Sequence, residues 1–270
     1  MRLQVSPTLN TPRPLSRSCS MNDYRPSRQR SCQRPYSQFS QGDILKGIVN
    51  PFEGKHVIQQ KKGQRLNVVL SSQEAIAHSE SLILAPISGI KVGERIYKHE
   101  TVLNPNITNG LQKKSVVLNS QLFTSTTDLL KRSLKLGRLL SNELEKIKAG
   151  AAIALHPVLR DCKKTPVFKR GDIVQIKKDG KLSQGVVVSN DIGNIFSPVL
   201  MIAFIFERTK SGPYKVLITD RHKPIHVDGH HIQSIDKEYV TKKIGTVSEL
   251  EMLNITRTVF SVMNLNNLNI

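Results

Sequence analysis

QRLNVVLSSQEAIAHSESLILAPISGI, residues 64–90, and LSQGVVVSNDIGNIFSPVLMIAFIFER, residues 182–208, lie on one another without a gap. Val68, Val69, Ser71, Ser79, Leu82, Ala85 and Ile87 then meet Val186, Val187, Ser189, Ser197, Leu200, Ala203 and Ile205. Each half opens on Gly-Asp-Ile, at Gly42–Ile44 and Gly171–Ile173, and each closes on an amphipathic stretch. A period of about 120 residues is too long for a solenoid repeat, so duplication of one small domain is the economical reading.

Working outward, Asp43–Val49, Leu66–Leu70, Leu82–Ile87, Ile96–Leu103 and Ser115–Leu118 read as strands of the first copy. Ser71–Ser81 reads as a connection, and Pro105 and Gly110 punctuate a turn over Asn104–Gly110. Asp128–Leu136 reads as a short helix. Asn142–Leu155 reads as a longer one, with Leu144, Ile147, Ala151 and Ala154 on a single face. In the second copy Asp172–Ile176, Gly185–Ser189, Val199–Phe206 and Tyr214–Thr219 are strands, followed by a turn-rich stretch and helical segments. Ser248 and Glu251 fit a capping box ahead of Met252, Ile255, Val259 and Val262. The expected class is α+β: two tandem, small, partly open β-barrels, each followed by a helix. The expected boundaries are a tail over 1–41, modules over 42–155 and 166–270, and a linker over 156–165.

The chain holds 270 residues, 38% of them hydrophobic, which is enough for two modest cores. Forty Lys plus Arg against 21 acids leave a net charge of +19. Such an excess favours a polyanion through counterion release, so nucleic acid leads the partner classes, with general basicity as the bland alternative. No apolar run approaches the ~18 residues that cross a bilayer. Cys19, Cys32 and Cys162 are too few and scattered for a zinc site or disulfide framework, which makes a reducing, cytoplasmic compartment the default.

Residues 1–42 contain seven Arg, no Lys, eight Ser, five Pro and the single acid Asp23. They cannot bury enough surface to offset ordering entropy, so disorder is expected. A nucleic-acid arm, an organelle transit peptide and an upstream extension before Met21 all remain open.

Arg170–Ile205, RGDIV…GVVVSNDIGNIFSPVLMIAFI, resembles the MazF/PemK family of toxin endoribonucleases, which share R-G-D-[IV] and V-V-[IV]-x-N-D-x-G-N-x-x-S-P. Asn190, Asp191, Gly193, Asn194, Ser197 and Pro198 fit that pattern, and His231–Asp236 resembles the segment before the family's penultimate helix. Ser115–Leu155 of the first copy resembles the family's final strand and C-terminal helix, although Ser72 and Gln73 replace Asn-Asp there. The resemblance implies metal-free, cofactor-free cleavage of single-stranded RNA, in which the 2′-hydroxyl attacks phosphorus beside a stabilising cation and a hydroxyl. It also implies an acidic antitoxin and a two-fold dimer, here as an internal pseudo-dimer whose chain is a monomer or a homo-oligomer.

On that pattern Arg65 takes the family's Arg position and Ser88 its Thr position, whereas the second copy has Ser183 and Phe206. Arg65 is alternatively a solvated strand-end charge within the basic patch Lys61, Lys62 and Arg65, and Ser88 a turn residue before Gly89. Lys61, Lys62, Lys181 and Arg208 are candidate RNA contacts, Lys181 and Arg208 forming a basic wall in the second copy. Gly42, Asp43, Gly171, Asp172, Gly193 and Asn194 read as structural. His222, His226, His230 and His231 read as exposed imidazoles on a loop rather than metal ligands, one of them able to stack on RNA. Two readings compete: an endoribonuclease with one surviving site, and a catalytically inactive RNA- or protein-binding relative. Gyrase poisoning of the CcdB type fits less well, because that group relies on a C-terminal Trp and this chain has none.

Overall fold

A computed structural model describes residues 38–50, 65–91, 93–156, 164–206, 212–220 and 223–268. The N-terminal tail, most of the linker, Lys61, Lys62, Arg208 and His222 lie outside the described residues. In the first module the elements run β1 (Asp43–Lys46), β2 (Leu66–Val69), α1 (Gln73–His78), β3 (Ser81–Gly89), β4 (Thr101–Leu103), β5 (Ser115–Val117), β6 (Phe123–Thr126), α2 (Thr127–Leu130), β7 (Leu134–Arg138) and α3 (Ser141–Leu155). In the second they run β8 (Asp172–Lys178), β9 (Lys181–Val187), α4 (Asp191–Phe196), β10 (Val199–Phe206), β11 (Lys215–Asp220), β12 (Lys223–Asp236), β13 (Val240–Thr246) and α5 (Glu249–Met263).

The two sheets are antiparallel and share one topology. Their orders are β4-β5-β3-β2-β1-β7, with β6 also on β3, and β11-β12-β10-β9-β8-β13. The continuous β12 therefore stands where the first module has β5 and β6. Register repeats as well as order. Val68↔Ala85 and Val69↔Leu84 recur 118 residues later as Val186↔Ala203 and Val187↔Ile202. Gly42 and Gly171 take φ of +87° and +88° at the same turn, a conformation that only glycine adopts without strain. The α+β, two-barrel reading of the sequence holds.

Local chemistry repeats with different residues. Ser72 caps α1 by accepting from the Ala75 N–H, and Asn190 caps α4 by accepting from the Gly193 N–H. Ser71 Oγ accepts from Ile83 N–H at 2.8 Å, as Ser189 Oγ does from Met201 N–H at 3.1 Å. Gln41 donates to the Leu70 carbonyl where Arg170 donates to that of Val188.

The modules meet about a pseudo-two-fold axis. The Ser72 N–H donates to the Val262 carbonyl at the end of α5, and the Asn190 N–H donates to that of Ala154 at the end of α3. Thr124 Oγ1 donates to the Ile232 carbonyl, and Ser234 Oγ donates to that of Leu122. Each contact and its mirror image are made by equivalent residues, the signature of an isologous interface. One apolar cluster spans the junction, joining Val68, Ala85, Ile87, Ile147 and Ala151 to Val186, Ala203, Ile232, Ile255, Val259 and Val262. Each fully buried Val or Ile side chain there contributes roughly 1.5–3 kcal/mol. Each module keeps a smaller cluster on the opposite sheet face, around Val69, Leu82, Leu84 and Phe123 in the first and Val187, Leu200 and Ile202 in the second.

Four local expectations need correction. Ser71–Ser81 contains helix α1 rather than a plain connection, because Ser72 supplies its N-cap. Asp128–Leu136 is not one helix. One turn ends at Leu130, and Leu134–Arg138 pairs with β1, where Lys135 reaches the buried Asp43 carboxylate at 2.8 Å. Ile96–Leu103 is strand only from Thr101, since a turn closed by Glu100 N–H on the Tyr97 carbonyl precedes it. The turn-rich stretch expected after Thr219 is largely ladder, with β12 paired along both β10 and β11 and β13 paired with β8, and the expected helix follows it as α5. The capping box at Ser248 and Glu251 is formed.

Candidate functional site

Arg65 immediately precedes β2, and Ser88 lies near the end of β3. The ladder runs from Val69↔Leu84 to Leu66↔Ile87, and one further step sets Arg65 against Ser88. Side chains at directly opposed positions share a sheet face, with Cβ atoms about 4.5–5.5 Å apart. By the two-residue alternation that face is the one carrying Val69, Leu82 and Leu84, away from the junction cluster. Arg65 is only 6% exposed, and burial lowers its guanidinium pKa below the ordinary value. Ser88 is half-buried, and its hydroxyl donates weakly to the Gly89 carbonyl at 3.4 Å. In the second module the corresponding positions lie two residues beyond the β9–β10 ladder, where the same register sets Ser183 against Phe206.

The remaining sequence candidates fall into two groups. Asp43 and Asp172 each accept from a backbone N–H three residues back, of Ser40 and Lys169, and each pairs with a lysine from the last strand of its sheet, Lys135 or Lys243. Asn190, Gly193 and Asn194 build the α4 turn, with Asn194 Oδ1 accepting from Ser189 Oγ at 2.6 Å. Asp191 accepts from the Arg170 N–H at 2.6 Å, Ser197 Oγ from the Val199 N–H, and the Pro198 carbonyl from the Lys237 N–H. Arg170 reaches Thr256 on α5, and burial lowers its pKa to about 10 against the opposing pull of Asp191. Lys181 is exposed at the start of β9.

The histidines are not on an exposed loop. His226, His230 and His231 lie on β12, His226 half-buried and His230 7% exposed. Pro224 and Gly229 suggest chain breaks in the sequence, but Pro224 pairs with Thr219 and Gly229 sits in a bulge. Between Ala203↔Ile232 and Ile205↔Val227, the single residue Phe204 opposes the four residues Asp228–His231. Asp228 Oδ1 accepts from His230 N–H at 2.9 Å, and its Oδ2 lies 3.1 Å from His231 Nδ1. The His231 ring stands edge-on to Phe206 at 5.2 Å, and His230 stands edge-on to Tyr214 at 4.5 Å. Burial pushes His230 down to about 4, against the attraction of Asp228. Among the described residues no group of three His, Cys, Asp or Glu is placed to hold a metal ion.

A cleft of about 850 Å³ opens at the junction, with Arg95, Tyr97 and His99 of the first module facing Asn190, Phe196 and Pro198 of the second. Tyr97 and His99 stack at 5.7 Å, the Arg95 guanidinium lies 5.5 Å from the Tyr97 centroid, and Lys164 lies 5.8 Å from Phe196. Tyr97 and Phe196 are 52% and 65% exposed, so much of each ring is open to solvent. Sequence reading missed this cleft, although aromatic residues interleaved with cations at Arg95–His99 were a signal for it. Neither Arg65 nor Ser88 lines it.

Two barrel-like sheets, each followed by a helix and joined through an isologous junction, define a duplicated small-barrel protein. The sequence profile described as PemK-like, MazF-like toxin of type II toxin-antitoxin system matches residues 40–155 and again residues 169–263. The chain belongs to that family. Among solved structures it is similar to an endoribonuclease in complex with its cognate antitoxin from a mycobacterial species, at 16% identity and TM-score 0.34, over 36% of this chain and 95% of that one. It is also similar to a mycobacterial endoribonuclease, at 17% identity and TM-score 0.34, over 39% and 98%. A MazE–MazF structure from Deinococcus radiodurans matches at 14% identity and TM-score 0.33, over 37% and 97%. No helix among the described residues is long and apolar enough to cross a membrane.

Proposed function

We propose that the protein is a metal-independent endoribonuclease-type toxin that cuts single-stranded RNA through Arg65 and Ser88 of its first module. The strand register supports the reading: carried one residue past β2 it opposes Arg65 to Ser88, and carried two residues past the β9–β10 ladder it opposes Ser183 to Phe206. The guanidinium supplies fixed positive charge for the phosphorane oxygens, and its burial strengthens that field. The Ser88 hydroxyl holds a phosphate oxygen. The ribose 2′-oxygen attacks phosphorus, the bond to the 5′-oxygen breaks, and a 2′,3′-cyclic phosphate and a 5′-hydroxyl result. The stacked Tyr97–His99 pair, Arg95 and Phe196 suit unstacked bases of the same strand, and the net charge of +19 draws in its backbone. That charge equally suits an acidic antitoxin, and the mycobacterial structure is an endoribonuclease in complex with its cognate antitoxin.

The test is cleavage of end-labelled single-stranded RNA in EDTA. Arg65→Ala is expected to slow cleavage about 100-fold or more, the usual effect of removing one charge-stabilising donor. Ser88→Ala is expected to slow it less. Unchanged rates in both variants remove the proposed site, and RNA retained in gel shifts without cutting by the wild type favours the non-catalytic binding reading.

A further inference from the structure

We propose that the second module carries a phosphodiester-cleaving centre of different composition, with His231 as the base, Asp228 as the residue that positions it and Lys215 as the cation. This rests on RNA being the substrate. Where the second module lacks the guanidinium–hydroxyl pair, it places an acid–base pair beside the vacated position. His231 packs on Phe206, the residue standing where Ser88 stands in the first module. Lys215 lies directly across the β11–β12 ladder from Asp228.

The bulge does not need the Asp228–His231 pair in order to form. The first module makes the corresponding excursion with Leu118, Asn119, Ser120 and Gln121, closed by Leu118 N–H on the Pro86 carbonyl and Gln121 N–H on that of Leu118. None of those four side chains titrates. In the second module the bond from His231 Nδ1–H to the Asp228 carboxylate fixes the tautomer and leaves Nε2 as a proton acceptor, on a side chain 36% exposed. The neighbouring His230 is held neutral by burial and does not compete for the carboxylate as a cation. Among the described residues, the charged or titratable groups facing the dyad are His230 on the same bulge, Lys215 on β11 and Tyr214 just before it, with Glu74 of α1 acting on Tyr214 from across the junction. Against Gly229 α5 presents uncharged Thr258.

The step balances without a cofactor. His231 Nε2 takes the proton of the 2′-hydroxyl, the 2′-oxygen bonds to phosphorus, the bond to the 5′-oxygen breaks, and that proton returns through solvent to the departing oxygen. Lys215 offsets the charge gathered on the non-bridging oxygens, and Phe206 offers a face to an unstacked base.

The doubly substituted Arg65→Ala/Ser88→Ala protein isolates this centre. With labelled RNA in EDTA it is expected to retain slow cleavage giving 2′,3′-cyclic phosphate ends, at a rate that falls as pH falls because a protonated imidazole accepts no proton. Adding His231→Gln is expected to lower that residual rate about 100-fold or more. Asp228→Asn is expected to lower kcat with KM unchanged, since the amide no longer holds the imidazole in that tautomer. Because His231 is partly exposed, His231→Gln is expected to keep the wild-type melting temperature and RNA gel shift, which separates lost chemistry from lost fold. A double variant no faster than buffer, or one indifferent to His231→Gln, overturns this proposal while a strong Arg65→Ala effect leaves the first site standing. Wild-type protein that cuts nothing overturns both.

Discussion

The two modules make the same contact between terminal helix and sheet bulge with opposite residues. In the first, Gly150 of α3 lies against Asn119, whose side chain donates to the His99 carbonyl at 2.7 Å. In the second, Gly229 sits in the bulge and Thr258 of α5 fills the space. A Cβ on Gly150 would fall 2.2 Å from Asn119 Nδ2, and one on Gly229 would fall 2.7 Å from Thr258 Cγ2. The small residue has changed sides while the spacing between helix and sheet stayed constant, so the packing distance is what both copies preserve. The proposed catalytic pair behaves differently: Arg65 and Ser88 have no chemical counterparts in Ser183 and Phe206. Packing geometry is shared between the copies, and chemistry is not.

The largest effect on stability should come from breaking the packing half of that comparison. Gly150→Thr is expected to destabilise by about 3 kcal/mol or more, because it overpacks a backbone carbonyl as well as a side chain. Adding Asn119→Gly, the arrangement of the second module, should recover part of the loss, with a coupling above about 1 kcal/mol in a double-mutant cycle from urea denaturation. Simple additivity would show that the two contacts are not equivalent.

A somewhat smaller effect separates the two bulges by pH. His230 titrates at about 4 in the folded protein, against an ordinary 6.5 when unfolded. Its folded pKa is depressed, so the unfolded chain takes up the proton first as pH falls. Stability is therefore lost between about pH 6.5 and pH 4, by about 3 kcal/mol at most, and is unaffected above that window. Asp228, His231 and Lys215 face this ring, and the depressed pKa of Asp228 acts below the window, near and under its ordinary 3.8. Thermal melts of wild type and His230→Phe across pH 4–7 check this, with the slope expected to flatten in the variant. Ser120, the corresponding residue in the first module, contributes no such slope.

The mildest change exchanges equivalent polar anchors. Arg170 and Gln41 both donate to the carbonyl ending the second strand of their modules. Arg170→Gln should therefore cost about 1 kcal/mol, and Arg170→Ala more, because alanine leaves that carbonyl without its side-chain donor. Equal losses in chemical denaturation would mean that the Thr256 and Asp191 contacts, not the shared one, carry the stabilisation.

Much of this architecture was legible because duplication displays it twice. The Val-Val strand and the following apolar strand recur 118 residues apart, the Ala- or Val-lined terminal helix recurs 108 residues apart, and the shared β-sheet register follows from the first of these separations. Helices α1 and α4 were obscure because each is only six residues long, too short to show a helical period, despite the N-caps Ser72 and Asn190. Strand β7 was lost to a helical reading because Leu129, Leu130, Leu134 and Leu136 satisfy both periods, and only pairing with Asp43 decides between them. The opposition of Arg65 to Ser88 followed from the ungapped alignment. The junction cleft and the Asp228–His231 pair did not, since each depends on residues brought together by folding: a surface between modules in one case, a four-residue bulge in the other.

The most direct test of the asymmetry is a parallel assay of Arg65→Ala and Ser183→Ala on the same labelled single-stranded RNA in EDTA. The two positions are equivalent in the fold and differ only in chemistry. The account predicts that Arg65→Ala slows cleavage about 100-fold or more while Ser183→Ala cuts at the wild-type rate. Equal losses from the two substitutions, or a loss confined to Ser183→Ala, would contradict it.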